Sequence, residues 1–444
     1  MNNDQLTIGN DQLPEGYKQT AIGLIPEDWK VAQLKDLVDP ERKITYGIVV
    51  PGSNVPNGVP MIRAQDYSRG WVDLEDLYHV SATIDKSYKR SKVVTADILL
   101  TIVGSVGNLA KVPSLFSGSN LTQQTARLAF NTKIADADFY LNILRSRFGQ
   151  KEISNYTKSG VQPSLNLSDV DKFLLPYPSL PEQRSISQAL ADVDALIAAL
   201  DKAIAKKRAI KTATMQQLLT GKKRLPEFGE GKGDQQTEVG VIPKDWNVVT
   251  IREITSLVTN GFVGKATNHY TDKDDGITYI QGYNVEANSF NFNGIKKVTP
   301  EFHRIHQKSC LRKDDLLTIQ TGEVGLTTIV PDSLVGANCH ALIISRFKKE
   351  KAYPWFYAHY FNSPIGRLRL RDLEVGTTMM HINVGELLPW EVPYPPRLEE
   401  QRAIATVLSD MDTEIAALET RIAKTQALKQ GMMQALLTGR VRLV

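Results

Sequence analysis

The second half of this 444-residue sequence repeats the first at an offset of 217 to 218 positions. The stretch Gly23–Trp29 (GLIPEDW) returns as Gly240–Trp246 (GVIPKDW). Gly104 and Gly107 return as Gly322 and Gly325, Glu182-Gln183-Arg184 as Glu400-Gln401-Arg402, and Leu218–Gly221 (LLTG) as Leu436–Gly439. One nearly constant offset over so many anchors means a duplicated unit, with two equivalent halves and an internal two-fold axis. Leu225-Pro226-Glu227 also echoes Leu13-Pro14-Glu15, so the segment after the first half matches the N-terminal arm and the repeat has a circular character.

Each half has two parts. The first, about 25–178 and 244–395, carries β-branched and aromatic runs broken by Gly, Pro and Asn; Ile98–Val103 and Leu316–Ile319 both lead into the Gly-x-x-Gly turn. One helix is expected in each, from Asp138 to about Glu152 and from Tyr353 to about Leu373. These parts read as α+β domains of about 150 residues. The second part is a long helix. Ile186, Leu190, Val193, Ile197, Leu200 and Ile204 are spaced 4, 3, 4, 3, 4, and so are Ile404, Leu408, Met411, Ile415, Leu418 and Ile422. That is the 3.5-residue seam of a coiled coil. Each helix should start after a Pro-rich entry and stop at Gly221 or Gly439. Forty residues make a rod of roughly 60 Å. With little else to pack on, the two helices are expected to pair antiparallel, although Lys207, Lys211, Thr425 and Lys429 interrupt the seam. The fold class is therefore α+β: two pseudo-two-fold-related domains separated by an antiparallel pair of long coiled-coil helices.

Composition narrows the function. No apolar run approaches the ~20 residues of a membrane-spanning helix, and the polar start, Met1–Gln5, is not a signal peptide. Two cysteines, Cys310 and Cys339, give no zinc spacing and no disulfide framework; they read as small core residues and suit a reducing cytoplasm. Net charge is +4, but residues 182–224 carry nine Lys/Arg against four Asp/Glu, whereas 399–442 carry six of each. The basic excess mildly favours a nucleic-acid partner. There is no phosphate-binding loop, no adenine-methyltransferase tetrapeptide and no nuclease pattern. Six of the seven histidines fall in the second half without counterparts in the first, which argues against a shared catalytic set. Trp29 and Trp246, kept in both halves, read as core. Two similar domains on a rigid spacer, with no active site, read as a ruler.

The sequence resembles the specificity (S) subunit of a Type I restriction–modification enzyme over its whole length. The resemblance rests on the paired Ile-Pro-x-Asp-Trp starts, the paired Glu-Gln-Arg-x-Ile openings at Glu182–Ile186 and Glu400–Ile404, and the paired Leu-Leu-Thr-Gly ends. The second opening departs slightly: Glu399 stands where Pro181 would recur. The resemblance implies an N-terminal arm (1–24), a first target recognition domain (25–178), a central conserved helical spacer (179–224), a linker (225–243), a second target recognition domain (244–395), and a distal helical spacer with its tail (396–444). Each recognition domain would read one half of a bipartite, asymmetric site on double-stranded DNA. The spacers would fix the gap and dock two modification (M) subunits, with restriction (R) subunits joining through them. The chain would carry no cofactor; S-adenosylmethionine, ATP and Mg²⁺ belong to the partner subunits. No membrane is involved, and the expected location is cytoplasmic.

Base edges are read by side chains that donate and accept hydrogen bonds, and phosphates by Lys, Arg, Ser and Thr. Three loop sets at repeat-equivalent places supply them. The first is Arg63, Gln65 and Asp66, matched by Gln281, Tyr283 and Asn284. The second is Ser105 and Asn108, matched by Thr321 and Glu323. The third is Lys158, Ser159, Gln162 and Asn166, matched by Thr377, Thr378, His381 and Asn383. Positions match while residue types differ, as two domains reading different sequences require; ordinary loop drift gives the same pattern. Asn166 and Asn383, kept in both copies, also suit a turn-forming role. Two other readings compete: a structural adaptor whose duplicated domains bind protein, and an enzyme with an unrecognised nuclease site.

Overall fold

The computed structural model describes residues 14–229, 233–376 and 380–443. The chain divides into two units: the first is assembled from two distant stretches, residues 1–199 and 421–444, and the second is the continuous stretch 200–420.

In the first unit a four-stranded antiparallel sheet contains β1 (Thr45–Tyr46), β2 (Ile98–Thr101), β3 (Leu109–Lys111) and β4 (Thr125–Leu128), in the spatial order β1-β4-β2-β3. Every residue of β2 is buried, because both faces of the sheet are covered. Ile98 and Leu100 pack with Phe139, Tyr140 and Leu144. Leu99 points the other way, to Ile62, Tyr67, Phe116 and Leu121, as the two-residue strand period demands. That second layer holds a smaller sheet ordered Tyr78–Val80, Val59–Ile62, Asn120–Leu121.

The second unit repeats this frame with β5 (Thr255–Asn260), β6 (Leu316–Ile319), β7 (Thr327–Ile329) and β8 (Leu342–Phe347), in the order β5-β8-β6-β7. Leu316 joins one core and Leu317 the other. The Val38–Phe130 bridge and the Thr255–Phe347 pair mark the same register. After it the first unit loops out through residues 39–44, so β1 has two residues where β5 has six.

The single helix expected in each domain is two. In the first unit these are α1 (Ala137–Arg145) and α2 (Arg147–Tyr156); in the second, α3 (Pro354–Asn362) and α4 (Pro364–Arg371). Ser146 and Ser363 break them: each turns extended (ψ 162° and 155°), and its hydroxyl caps the next helix by accepting from Gly149 N or Gly366 N. The cap holds the glycine so close to the preceding helix that an added Cβ would strike the backbone of Ile143–Leu144 or of Tyr360. Helical periodicity runs straight through such a joint, which is why the sequence hid it.

The two long helices span Leu180–Leu218 and Leu398–Leu436, each 39 residues. Their first seam residues do not wait for a partner helix. Ile186 and Leu190 sit in the first core beside Leu175, and Ile404 and Leu408 in the second beside Val392. This corrects the expectation that the helices have only each other to pack on. Within the second unit the far half of one helix pairs antiparallel with the near half of the other, through Lys207–Glu414 (2.5 Å), Arg208–Glu419 (2.5 Å) and Lys211–Asp412. Within the first unit Lys429 binds Asp194 at 2.6 Å, repeating Lys211–Asp412 one offset away. The lysines that appeared to interrupt the seam are its cross-links.

The repeated motifs meet at one place in each unit. In the first, the Trp29 indole N–H donates to Glu182 Oε2 at 3.0 Å, and both side chains are buried. Arg442 binds Glu182 and, at 2.8 Å, Asp28, with its guanidinium 5.7 Å from the Trp29 ring. In the second, Arg224 binds Glu400 at 2.5 Å and Asp245 at 2.9 Å, 5.6 Å from the Trp246 ring. Gly221 and Gly439 take φ of +71° and +69°, and a Cβ there would press on Pro243 and Trp246, or on Pro26 and Trp29. Gln183 accepts from Asp136 N at 2.8 Å and donates to Ile134 O and Pro178 O; Gln401 does the same with Tyr353 N, Lys351 O and Pro395 O. Each Gln thus ties a long helix to the start of α1 or α3.

The halves differ at His359. It is fully buried in the second unit, with Nε2 3.0 Å from Ser409 Oγ and Nδ1 3.1 Å from Asn288 Nδ2. The Asp412 carboxylate lies 3.9 Å away, and Trp355 packs against the ring. Burial, helped by the nearby Lys211 charge, pushes the imidazole down to about 3. The folded state therefore refuses a proton that the unfolded chain accepts near 6.5. Stability of the second unit should fall as pH drops from about 6.5 toward 3, by up to about 1.4 kcal/mol per pH unit. The matching position in the first unit is Asn142, so the first lacks this dependence. Urea midpoints of wild type and His359→Gln at pH 7 and pH 5 check it: the substitution should flatten the pH dependence. Removing the guanidinium that neutralises a buried carboxylate is costlier. Arg442→Ala should destabilise the first unit by about 3 kcal/mol, and Arg224→Ala the second by a similar amount, seen in thermal unfolding as the selective loss of one transition.

Candidate nucleic-acid interface

The three loop sets converge at one end of each four-stranded sheet. In the first unit β2 runs out of the core at Thr101, and Ile102 N donates to Gln124 O at 2.8 Å. Gly104 N donates to Pro163 O at 3.0 Å and Leu165 N to Ile102 O at 2.8 Å, laying the 158–166 loop against the Gly-x-x-Gly turn. The loop after Ile62 joins them: Thr122 N donates to Ile62 O, and the Tyr67 hydroxyl lies 2.7 Å from Thr101 Oγ1. In the second unit Ile382 N donates to Gln320 O, Thr321 bridges His381, and His340 N donates to Ile280 O. Residues up to 100 positions apart thus share one rim, set by the strand ends.

Each glycine turn needs its glycines. Gly104, Gly107, Gly322 and Gly325 all have positive φ, between 83° and 95°, a region other residues enter at a cost. Those turns place Ser105, Thr321 and Glu323 in solvent. No backbone cradle for a phosphate is needed to explain them.

Within the first set the residues part company. Asp66 is buried, accepts from Arg63 N at 2.8 Å, and pairs with the Arg63 guanidinium at 2.8 Å. Asn284 is buried too, accepting from Gln281 N and donating to Asn291 O. Both are interior braces that shape the turn, not groove contacts. Arg63 is committed to Asp66, and Gln281 donates to the Tyr270 hydroxyl at 2.6 Å. The brace leaves one side chain outside at the same place in each unit: Gln65, exposed, and Tyr283, half in solvent, with its hydroxyl on Gly294 O.

In the third set Lys158, Ser159 and Gln162 are exposed. Asn166 and Asn383 each precede a one-turn helix, Leu167–Val170 and Val384–Leu387, without a side-chain capping bond; exposed Asn166 donates to Asp169 Oδ2 at 3.2 Å. His381 is half-buried, its backbone paired with Val375. Asn108 is half-buried beneath the turn. Thr377 and Thr378 lie outside the described residues.

Some rim residues escaped sequence reasoning. Gln123 is exposed and, with Tyr46, Val103, Ser164 and Asn166, lines a recess of about 560 Å³. Val50 and Val263 stand in solvent where β1 and β5 end, beside Gly47 and Gly261, which pass so close to Leu121 and Cys339 that a Cβ would overlap them. The extra residues in 39–44 shift the offset there, so these loops do not align. In the second unit His340 Nδ1 lies 3.0 Å from the Tyr279 hydroxyl, and burial holds its imidazole below its ordinary value. Among the described residues no three His, Cys, Asp or Glu side chains gather as a metal site would require, and no helix is long and apolar enough to cross a membrane. The rim's chemistry is hydrogen bonding and apolar contact.

One frame built twice, with its internal braces kept and its exposed tips changed, defines a duplicated recognition protein. The chain belongs to the family of type I restriction modification DNA specificity domains, whose model matches residues 26–208 and again 243–428. It is 35% identical over 187 residues to the EcoBI type I restriction enzyme specificity subunit of Escherichia coli, covering 41% of this chain and 39% of that one. It is 24% identical over 454 residues to the MjaVIII specificity subunit of Methanocaldococcus jannaschii, covering 96% of each. A type I restriction–modification S subunit from M. genitalium has the same fold, with a TM-score of 0.53 and 14% identity over 92% of this chain and 96% of that one. The chain is thus a specificity subunit, the DNA-recognising and non-catalytic part of such a system.

The contrast between brace and tip is measurable. Gln65→Ala should leave unfolding within about 0.5 kcal/mol of wild type while weakening DNA binding. Asp66→Ala, which strands the Arg63 guanidinium and the Arg63 backbone N–H, should cost about 2 kcal/mol or more. Paired denaturation and DNA-binding titrations separate the two.

Proposed function

We propose that this chain reads a bipartite, asymmetric DNA site, one half through residues 25–178 and the other through 244–395, at the rims described above. The direct readers are the exposed tips: Gln65, Ser105, Gln123, Lys158, Ser159 and Gln162 in the first unit, and Tyr283, Thr321 and Glu323 in the second. Thr377, Thr378 and His381 join them as proposed contacts from the sequence. The observation that carries this reading is the exchange of Gln65 for Tyr283 on turns held by the same backbone brace. Like frames with unlike tips suit two half-sites that differ in sequence.

The two long helices serve as spacer and dock. The helices, kept alike in both halves, would receive two copies of a modification subunit, with restriction subunits joining through those. A solved neighbour bears the description of complex assembly and conformational transition of the type I R-M system, matching 94% of this chain at 18% identity and a TM-score of 0.53. S-adenosylmethionine, ATP and Mg²⁺ would act in the partners, and the complex would work in the cytoplasm. The adaptor reading lacks a comparable observation.

Methylome sequencing of cells carrying this chain with its modification subunit tests the proposal. Replacing residues 25–178 by those of a relative should change one half-site and leave the other. Inserting four residues after Leu200 should lengthen the gap and leave both half-sites unchanged. A swap that alters both half-sites overturns the modular reading, and an unchanged gap overturns the spacer.

A further inference from the structure

The rims are not the only place where the second unit differs from the first. At the opposite end of its four-stranded sheet, where β6 begins and β8 ends, an open cleft of about 820 Å³ lies between the strand ends and the starts of α3 and the second long helix. Six Lys/Arg and two Asp/Glu line it, a net +4, in a chain whose whole net charge is +4. Two of the cations are already paired: Arg346 with buried Asp315 at 2.7 Å, and Lys313 with Asp332 at 2.8 Å. Of the rest, Lys348 Nζ donates to Glu253 O at 2.9 Å; Arg312, Lys349 and Arg402 have no ion pair among the described residues and stand beside the half-exposed rings of Trp355 and Tyr353, with Arg402 5.8 Å from the latter.

The first unit has the same cleft with the opposite chemistry. Matching backbone bonds fix the correspondence. Arg312 N donates to Asp315 as Val94 N does to Asp97, and Lys348 N donates to Ile254 O as Asn131 N does to Leu37 O. Arg312 is thus Val94, Lys349 is Thr132, and Tyr353 and Trp355 are Asp136 and Asp138. That cleft is lined by Asp39, Glu41 and Asp97 against Arg42 and Lys133, a net −1.

We infer that the second unit's cleft grips the phosphodiester backbone of duplex DNA outside the base-reading rim. The cleft is open and its cations come from three separate segments, before β6, after β8 and on the second long helix, as contact with a row of phosphates would use. Arg312, Lys348 and Lys349 have no cationic counterpart in the first unit, where only Arg184 matches Arg402, so a partner docking alike on both units would not find the set twice. From Asp314 to Thr321 the chain runs along β6 for about 23 Å. The cleft is therefore separate from the rim and within the length of one DNA turn. The inference rests on the DNA-reading function proposed above.

The test measures binding of the full chain, alone and with its modification subunits, to a 40-base-pair random duplex as salt is varied. Each lost phosphate contact lowers the slope of log K against log salt by about 0.9. Arg312→Ala with Lys349→Ala should lower it by about 1.8 and weaken binding about ten-fold, leaving the sequence recognised unchanged. The reciprocal pair, Val94→Arg with Thr132→Lys, should steepen the slope, and it keeps the test decisive if the first pair folds poorly. An unchanged slope in both pairs, with DNA still bound, overturns the cleft and leaves the rims standing. Binding of polyglutamate that needs Arg312 and Lys349, with duplex affinity unaffected, overturns it in favour of an acidic protein segment. Wild type that binds no DNA overturns the proposed function as well.

Discussion

A buried glutamate holding a tryptophan and an arginine is the constraint from which each unit is built. Glu182 has almost no contact with water, yet it receives the Trp29 indole and the Arg442 guanidinium. Those three residues come from the turn between the strands Gly23–Pro26 and Lys30–Gln33, the start of one long helix and the segment just past the end of the other. A carboxylate placed there is tolerable only when both donors arrive. Arg442 arrives only because Gly439 turns left-handed against Pro26 and Trp29. Glu400 and Arg224 repeat the ion pair beside Trp246, whose buried indole N–H lacks the hydrogen bond that Trp29 makes, and burial raises the Glu400 carboxyl above its usual range despite the arginine. The repeated sequence motifs are the three sides of this joint.

That explains how much could be read from sequence. The duplication, the long helices and their stops, and the buried tryptophans were legible, because a motif needed for a joint must recur wherever the joint recurs. The divided α1–α2 and α3–α4 pairs were not. A serine cap with a glycine three residues on leaves the apolar period intact, so nothing marks Ser146 as a corner; at Ser363 the mark is Pro364, the first residue of α4, whose place the apolar run on either side concealed. Among the candidate contacts, repeat position led to loops that share one rim, since strand ends are fixed by the frame. It could not separate Gln65 from Asp66, neighbours in sequence that face opposite ways. Nor could it find Gln123, Val50 or Val263, because the extra residues at 39–44 move the first unit out of step.

The two units spend their differences in separate places. At the rims, unlike side chains stand on like turns. At the far end of the sheet, carboxylates in one unit face lysine, arginine and tryptophan positions in the other. In the interior His359 also breaks the likeness, replacing an asparagine position with a ring that must stay neutral between the domain and the helix. Duplication thus fixed the joints and the sheet register, and left the surfaces free to diverge.

The division of the chain has a consequence for how it is made. The second unit needs nothing beyond residue 420, whereas the first cannot close its joint until residue 442 exists. On the ribosome the domain synthesised first is therefore finished last. Its contacts span extreme sequence distances, as the Tyr17 hydroxyl on Gly439 O, 422 residues apart, illustrates. Such closure is slow and must wait for the whole intervening unit. During that wait Glu182 and Trp29 lack their arginine, so the nascent chain carries a half-built domain that only complete synthesis can lock.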